Sequence, residues 1–369
     1  MNNDKPFCTV PFVEGFSGID STFRNCCVTD PHISSLPGQT FAEWWKDPRR
    51  LEFLQNQWTK IWPKECYRCQ IQEKNEKTSF RTAVNSQIIM DDNFGVWPSR
   101  WNLKFGNTCN LACWTCSEHS SSVIAQHKKT INILSENFID PDDKFKSLWT
   151  TLETDVLKSY DYHEIITLTL LGGEPLYNKL VIDFLNRLKN LGLDNRTRLE
   201  FHTNGTKINH KLFTNGSNWN YICVFLSFDA VGRKAEWLRY GTKWSAVESN
   251  IEFFKEVADF IEVHCTLSVL NINDLPALAN YCESQNLPLK IMTLSNPTYM
   301  SLQKWPGDKH LIINDNARND QFNSYYDLIG IDPDNTSIIK LRNYINHFNS
   351  IRNNLRLYDN HLADAIGIN

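Results

Sequence analysis

Several features that define other protein classes are missing from this 369-residue sequence. No stretch approaches the roughly eighteen uninterrupted apolar residues that a membrane-crossing helix needs. The opening "MNNDKPFCTV" lacks the basic start and apolar run of a secretory signal, so a cytoplasmic protein is expected. Positive charge is not in excess: 38 Lys and Arg stand against 42 Asp and Glu, a formal net charge of -4. Sequence-independent binding to nucleic acid, which needs a strongly basic face, is therefore not expected, nor is a membrane partner. There is no internal repeat and no low-complexity tract, although the C-terminal third is rich in Asn. A reducing compartment also leaves no role for disulfides. The 11 cysteines then point to metal or redox chemistry.

What is present is the composition of a globular protein with an apolar core, and a length that suggests one large core with smaller appendages. Three regions differ in pattern. Residues 1–96 are irregular, with cysteines near both ends (Cys8, Cys26, Cys27, then Cys66 and Cys69) and helical segments around Phe41, Trp44, Trp45, Leu51 and Leu54. Residues 97–296 alternate strands with helices. The strand candidates are Trp101 to Phe105, Ile165 to Leu171, Arg198 to His202, Tyr221 to Phe228, Phe260 to Val269 and Leu289 to Leu294. Most read as continuous apolar runs, as parallel strands covered on both faces should. In "LYNKLVIDFLNRLKNLG" Leu176, Leu180, Phe184, Leu188 and Leu191 form one helical stripe with Gly192 as the stop. The segment from Ile133 to Lys146 reads as a polar excursion. Residues 297–369 form a helical extension, with helical character in "IIKLRNYINHFNSIRNNLRLY". The fold class expected is α/β, a partial (β/α)6 TIM-like barrel, whose functional loops lie at the C-terminal strand ends.

Cys109, Cys113 and Cys116, in the spacing C-x3-C-x2-C, follow the first strand candidate, where such a barrel builds its site. With His119 as a fourth ligand they could hold zinc. Three thiolates on one loop equally suit an iron–sulfur cluster with one iron left open. Cys223, Cys265 and Cys282 fall within strand or helix patterns and read as buried apolar residues. His202 adjoins the third strand end, as a structural or a site residue.

This pattern resembles the radical S-adenosylmethionine (SAM) enzymes, whose three cysteines hold a [4Fe-4S] cluster that chelates SAM. "LLGGEPL" matches the family's GGEP motif, and the resemblance implies that Gly172, Gly173 and Glu174 meet the methionyl ammonium. It further assigns Thr203 and Asn204 of "HTNG", Ser227 and Asp229 of "SFDA", Arg239 of "LRYG", and Ser268 and Asn271 of "LSVLNIND" to cofactor or substrate contacts, with Arg239 on the methionyl carboxylate. The place before the last cysteine, usually large and apolar in the family, holds Thr115, with Trp114 one position earlier. The N-terminal cysteines resemble a SPASM or twitch auxiliary-cluster module, which ordinarily follows the barrel. Cys8, one of Cys26 or Cys27, Cys66 and Cys69 would then ligate a second [4Fe-4S] cluster, or a four-thiolate zinc. The implied activity is reductive cleavage of SAM to a 5′-deoxyadenosyl radical that takes hydrogen from a peptide or protein, with flavodoxin or ferredoxin as reductant. Alternatives are a twitch-type dehydrogenase of an aminocyclitol or sugar alcohol, and a non-catalytic metal-binding scaffold.

Overall fold

The computed structural model describes residues 7–18, 20–29, 34–59, 61–76, 79–86, 88, 93–214, 216–313, 319–349, 351–352 and 359–368. Ten strands are present among them: β1 (Glu14–Ser17), β2 (Phe23–Arg24), β3 (Arg100–Lys104), β4 (Ala112–Cys113), β5 (Ile166–Leu171), β6 (Thr197–Thr203), β7 (Tyr221–Ser227), β8 (Arg239–Tyr240), β9 (Phe260–Leu267) and β10 (Leu289–Thr293). Eight form one mostly parallel, open sheet in the order β10-β9-β7-β6-β5-β3-β1-β2, and β4 pairs with β8. The α/β class is thus borne out. All six expected barrel strands are found, within a residue or two at most ends.

The chain divides into two compact units, the first Met1–Asn107, Ile139–Phe201 and Lys211–Ile222, the second Thr108–Phe138, His202–His210 and Cys223–Asn369. Residues 96 and 296, expected as module boundaries, lie inside the first and second unit respectively. The physical reason in the first unit is β1, which pairs in parallel with β3 through Glu14↔Arg100, Gly15↔Trp101, Phe16↔Asn102 and Ser17↔Leu103. Gly15 is needed there because a Cβ would stand 2.5 Å from the Trp101 ring. The N-terminal segment, read as irregular from sequence, therefore supplies part of the sheet.

The strands of the first unit alternate where continuous apolar runs were expected. Trp101 and Leu103 of β3, Ile166, Leu168 and Leu170 of β5, and Leu199 and Phe201 of β6 are buried on one face. The register puts Arg100 and Asn102, Thr167 and Thr169, and Arg198 and Glu200 on the other. A sheet with one polar face is one-sided in its hydrophobic packing, which leaves that face to polar work. The apolar face receives helix Pro141–Lys158, whose buried Phe145, Trp149, Leu152 and Val156 recur at helical spacing behind an Asp140 cap and Pro141. The polar excursion expected over 133–146 thus ends where this helix begins.

In the second unit β7, β9 and β10 pair in parallel. Its core joins Trp114, Trp237 and Leu267 to Met300, Trp305, Tyr326, Leu341, Ile345 and Phe348. The residues after 297 thus belong to this core. Helix Ser337–Phe348 is the main element of the expected C-terminal helical stretch, of which 350 and 353–358 lie outside the described residues. Among the described residues no helix is long and apolar enough to cross a membrane.

Candidate cofactor site

Cys109, Cys113 and Cys116 gather in the second unit on a small cluster with Leu111, the first two buried and Cys116 half-buried. The loop is shaped by its own backbone and by neighbouring elements. The Leu111 N–H donates to Cys109 Sγ at 3.4 Å, and the Cys109 N–H to Ser122 Oγ at 3.1 Å. Pairing of β4 with β8 sets Cys113 against Arg239. Asn110, within the loop, accepts from Asn204 Nδ2 at 3.0 Å and donates to Thr206 Oγ1 at 2.8 Å, while Asn204 Oδ1 accepts from the Thr206 N–H at 2.9 Å. The "HTNG" turn is therefore fastened to the cysteine loop through its amides.

The loop is electropositive. Arg239 donates Nε to Asp229 at 2.9 Å and points Nη1 at Cys113 Sγ, 3.8 Å away. Cys113 is drawn down to about 7, first by its hydrogen bond with Cys116, against burial, with Arg239 and Arg352 also favouring the thiolate. Cys116 is pushed up as the proton-bearing partner of that pair. Three convergent thiols under positive charge suit an anionic iron–sulfur group better than a structural role. Among the described residues no three His, Cys, Asp or Glu side chains form a group that could hold a single metal ion.

Other expected contacts turn out to be partly or wholly engaged. Asp229 accepts from the Thr266 N–H at 2.8 Å as well as from Arg239. Asn271 is 1% exposed; its Oδ1 takes the Ser268 N–H at 2.8 Å and hydroxyl at 3.0 Å, and its Nδ2 donates to the Asp229 carbonyl at 3.0 Å. Thr203 Oγ1 accepts from the Gly205 N–H at 3.1 Å. Ser227, at the end of β7, is half-buried. His202 lies among Phe225 and His264, and burial presses it down to about 4, so it is neutral near pH 7. Trp114 is buried against Trp237, Tyr344 and Phe348. Beside Cys116 a cavity of about 360 Å³ is lined by Thr115, Ser117, Lys128, Pro297, Tyr299 and Tyr344, among others.

In the first unit the GGEP turn is built for close backbone approach. Gly172 sits at φ +116°, and a Cβ would meet the Phe105 nitrogen at 2.8 Å. The Gly173 N–H donates to the Gly106 carbonyl at 3.2 Å. Glu174 is buried and accepts from the Leu176 N–H at 3.1 Å, and Asn178 ties the turn to β3 by donating to the Phe105 carbonyl at 2.9 Å.

The same unit holds a second set of thiols. Cys8, Cys26, Cys66 and Cys69 line one pocket with Pro11, Val28, Phe80 and Arg81. Cys27 is exposed and is not part of the lining. Burial pushes Cys8 and Cys66 up to about 12. Arg81 is paired with Glu73 at 2.5 Å and donates to the Phe7 carbonyl at 2.8 Å, while Asn85 receives the Thr9 N–H at 2.9 Å. Those bonds fix the Cys8 segment. Four thiols with two sulfur-directed donors, the Val28 N–H at 3.4 Å and Gln57 Nε2 at 3.8 Å, are the donor types that an iron–sulfur centre would use.

Sequence reasoning passed over the polar face. Glu14 is 6% exposed, its Oε1 has no hydrogen-bond partner among the described residues, and burial with Glu200 nearby lifts it to about 7 against the pull of Arg100. Glu200 accepts from Thr169 Oγ1 at 2.9 Å and Arg198 Nε at 3.2 Å, and Asn102 Oδ1 is buried without a partner. Alternation in "RWNLK" and "TRLEFHT" was the available signal.

No family model matches the chain, and no curated protein does. Among solved structures, native anSMEcpe with bound AdoMet and Kp18Cys peptide is similar at 21% identity and TM-score 0.40, over 56% of this chain and 54% of that one. Streptococcus suis SuiB is similar at 14% identity and TM-score 0.38, over 85% of this chain and 60% of that one. SuiB bound to precursor peptide SuiA gives 15%, 0.37, 76% and 60%. The chain spans about half the length of anSMEcpe.

Proposed function

We propose that this chain is a radical SAM enzyme that oxidatively modifies a peptide or protein. The observation that carries the reading is the electropositive loop of Cys109, Cys113 and Cys116 in C-x3-C-x2-C spacing. Bound there, a [4Fe-4S] cluster with SAM supplies a 5′-deoxyadenosyl radical that removes hydrogen from an unactivated carbon, one electron having come from a flavodoxin- or ferredoxin-like reductant.

In this reading the chain's residues divide into contacts and supports. The backbone of Gly172, Gly173 and Glu174 receives the methionyl ammonium, and Ser227 and Thr203 contact the cofactor. Arg239, Asp229, Asn204 and Asn271 hold the cysteine loop and strand ends in place, Arg239 through Asp229, Asn204 through Asn110 and Asn271 through the Asp229 carbonyl. Tyr299 and Tyr344 offer the adenine an aromatic face in the cavity beside Cys116. The polar face of Arg100, Asn102, Arg198 and Glu200 receives polar groups of the substrate. Cys8, Cys26, Cys66 and Cys69 would hold a second [4Fe-4S] cluster, which would supply an electron acceptor, and Cys26 takes the ligand role over the exposed Cys27.

Anaerobically reconstituted, reduced protein is expected to cleave SAM slowly to 5′-deoxyadenosine without substrate. Changing Cys109, Cys113 and Cys116 to Ala is expected to abolish cleavage. A fully iron-loaded wild type that makes no 5′-deoxyadenosine would rule the reading out and leave a metal-binding scaffold. Deuterium transfer from labelled peptides, set against labelled sugar alcohols, assigns the substrate class.

A further inference from the structure

Arg352 follows helix Ser337–Phe348 in the second unit and is 4% exposed. Its guanidinium stands 4.2 Å from the ring of Phe348, 4.3 Å from that of Trp114 and 6.0 Å from that of Tyr240. Yet Nε, Nη1 and Nη2 are all buried without a hydrogen-bond partner among the described residues. A guanidinium carries five N–H donors and stays charged in proteins. Ring faces offset part of the cost of burying that charge, but they do not satisfy N–H donors that lie in the plane of the guanidinium.

Three other buried or nearly buried arginines show how this chain ordinarily meets that cost. Arg50 donates to the Trp45 carbonyl at 2.8 Å and the Pro11 carbonyl at 2.5 Å. Arg81 is paired with Glu73, and Arg239 with Asp229. Arg352 instead covers the ring of the residue that directly follows Cys113. The groups acting on its charge are the phenols of Tyr344 and Tyr240 and the sulfurs of Cys113 and Cys116, and it acts in turn on His127. Only sulfur among these becomes a full anion when a metal centre is bound.

We propose that Arg352 is the cation that neutralises the iron–sulfur cluster on Cys109, Cys113 and Cys116, donating its idle N–H groups to the cluster's sulfur anions. The inference rests on the reading of this loop as a cluster site. A four-iron cluster with three thiolate ligands is negatively charged and becomes more so on gaining its electron. A fixed cation beside it stabilises the reduced form most and so raises its reduction potential. The C-terminal segment thereby contributes to the redox chemistry of a loop far from it in sequence.

The test compares full-length wild type with Arg352→Met and Arg352→Lys, each reconstituted anaerobically. The readouts are iron per chain, a redox titration of the cluster followed by electron paramagnetic resonance without SAM, SAM affinity, and melting of the cluster-free protein. Arg352→Met is expected to melt no lower than wild type when cluster-free, since it removes a bare buried charge. Its loaded cluster is expected to titrate at a more negative potential, with Arg352→Lys between the two and SAM affinity changed less than about threefold. An unmoved potential at full iron loading overturns the proposal. A loss of SAM affinity of about tenfold or more with an unmoved potential assigns Arg352 to the cofactor's carboxylate instead, and also overturns it. If Arg352→Met melts well below wild type without cluster and Arg352→Lys restores it, Arg352 is a packing residue and the proposal falls. Failure of the parent reading looks different: changing Cys109, Cys113 and Cys116 to Ala would then leave the iron content of the wild-type chain untouched.

Discussion

In the first unit two arginines line the thiol pocket, Arg68 and Arg81, and Arg81 is already spent. Arg81 gives its guanidinium to Glu73 and the Phe7 carbonyl, which braces the segment that carries Cys8. In the second unit the thiols of Cys109, Cys113 and Cys116 have two cations nearby, one tethered to Asp229 and one, Arg352, with every donor idle. The first arrangement uses a cation to hold the chain around four sulfurs. The second keeps charge in reserve for something anionic that joins later. A fully ligated electron relay suits the former, and a centre with an open coordination position suits the latter.

The sharpest way to break this comparison is to remove each thiol set in turn. With both centres loaded, about eight irons per chain are expected. Cys66→Ala with Cys69→Ala is expected to remove roughly half, to preserve SAM cleavage and hydrogen abstraction, and to block the oxidised product. Circular dichroism must accompany the assay, since a four-thiolate centre also crosslinks the chain. A variant that folds, has lost the second centre and still forms product at the normal rate would make the pocket a clamp. Stoichiometric zinc with about four irons would identify a zinc centre there instead.

A smaller effect separates the two arginines. Arg81→Met strips Glu73 of its partner in a mostly buried setting, and a loss of about 3 kcal/mol is expected in denaturant unfolding of the metal-free protein. Arg352→Met is expected to cost the metal-free protein nothing. Equal losses for the two would erase the distinction between a spent cation and a reserved one.

An effect of similar size, but confined to a pH window, concerns Glu14 of the first unit. Glu14 is held near 7 when folded and near 4.5 when unfolded. Between those values the folded state keeps a proton that the unfolded state has lost, so stability is greatest below about pH 4.5 and falls as pH rises to about 7. Glu14→Gln is expected to flatten that decline and to be the more stable protein above pH 7, read from urea unfolding across pH 4.5 to 8. A slope that persists in Glu14→Gln would place the titration elsewhere.

The six barrel strands and the cysteine loop were legible because each is a local pattern: an apolar run, a fixed spacing, a glycine pair before Glu174. What escaped depended on partners far away in the chain. The stretch "EGFS" is short, contains a glycine and carries Glu14, and only its pairing with β3 and β2 makes a strand of it. The bonds that join Asn271 to Ser268 and to the Asp229 carbonyl, and Asp229 to Arg239, are likewise contacts that spacing does not encode. Arg352 lies in an Asn-rich tract that looks solvated, and its significance comes from Trp114. Alternation on β3 and β6 could have been read from "RWNLK" and "TRLEFHT", but the expectation of doubly covered parallel strands overrode it.

The pairing of β1 with β3 has a further implication. A strand edge exposed in water is a template on which another chain can grow, and β1 shields the edge of β3 from that role. Proteolytic loss of the first segment would therefore not simply subtract a thiol pocket. It would uncover a ready-made seam for intermolecular strand addition, so self-association would accompany any attempt to separate this segment from the rest of the chain.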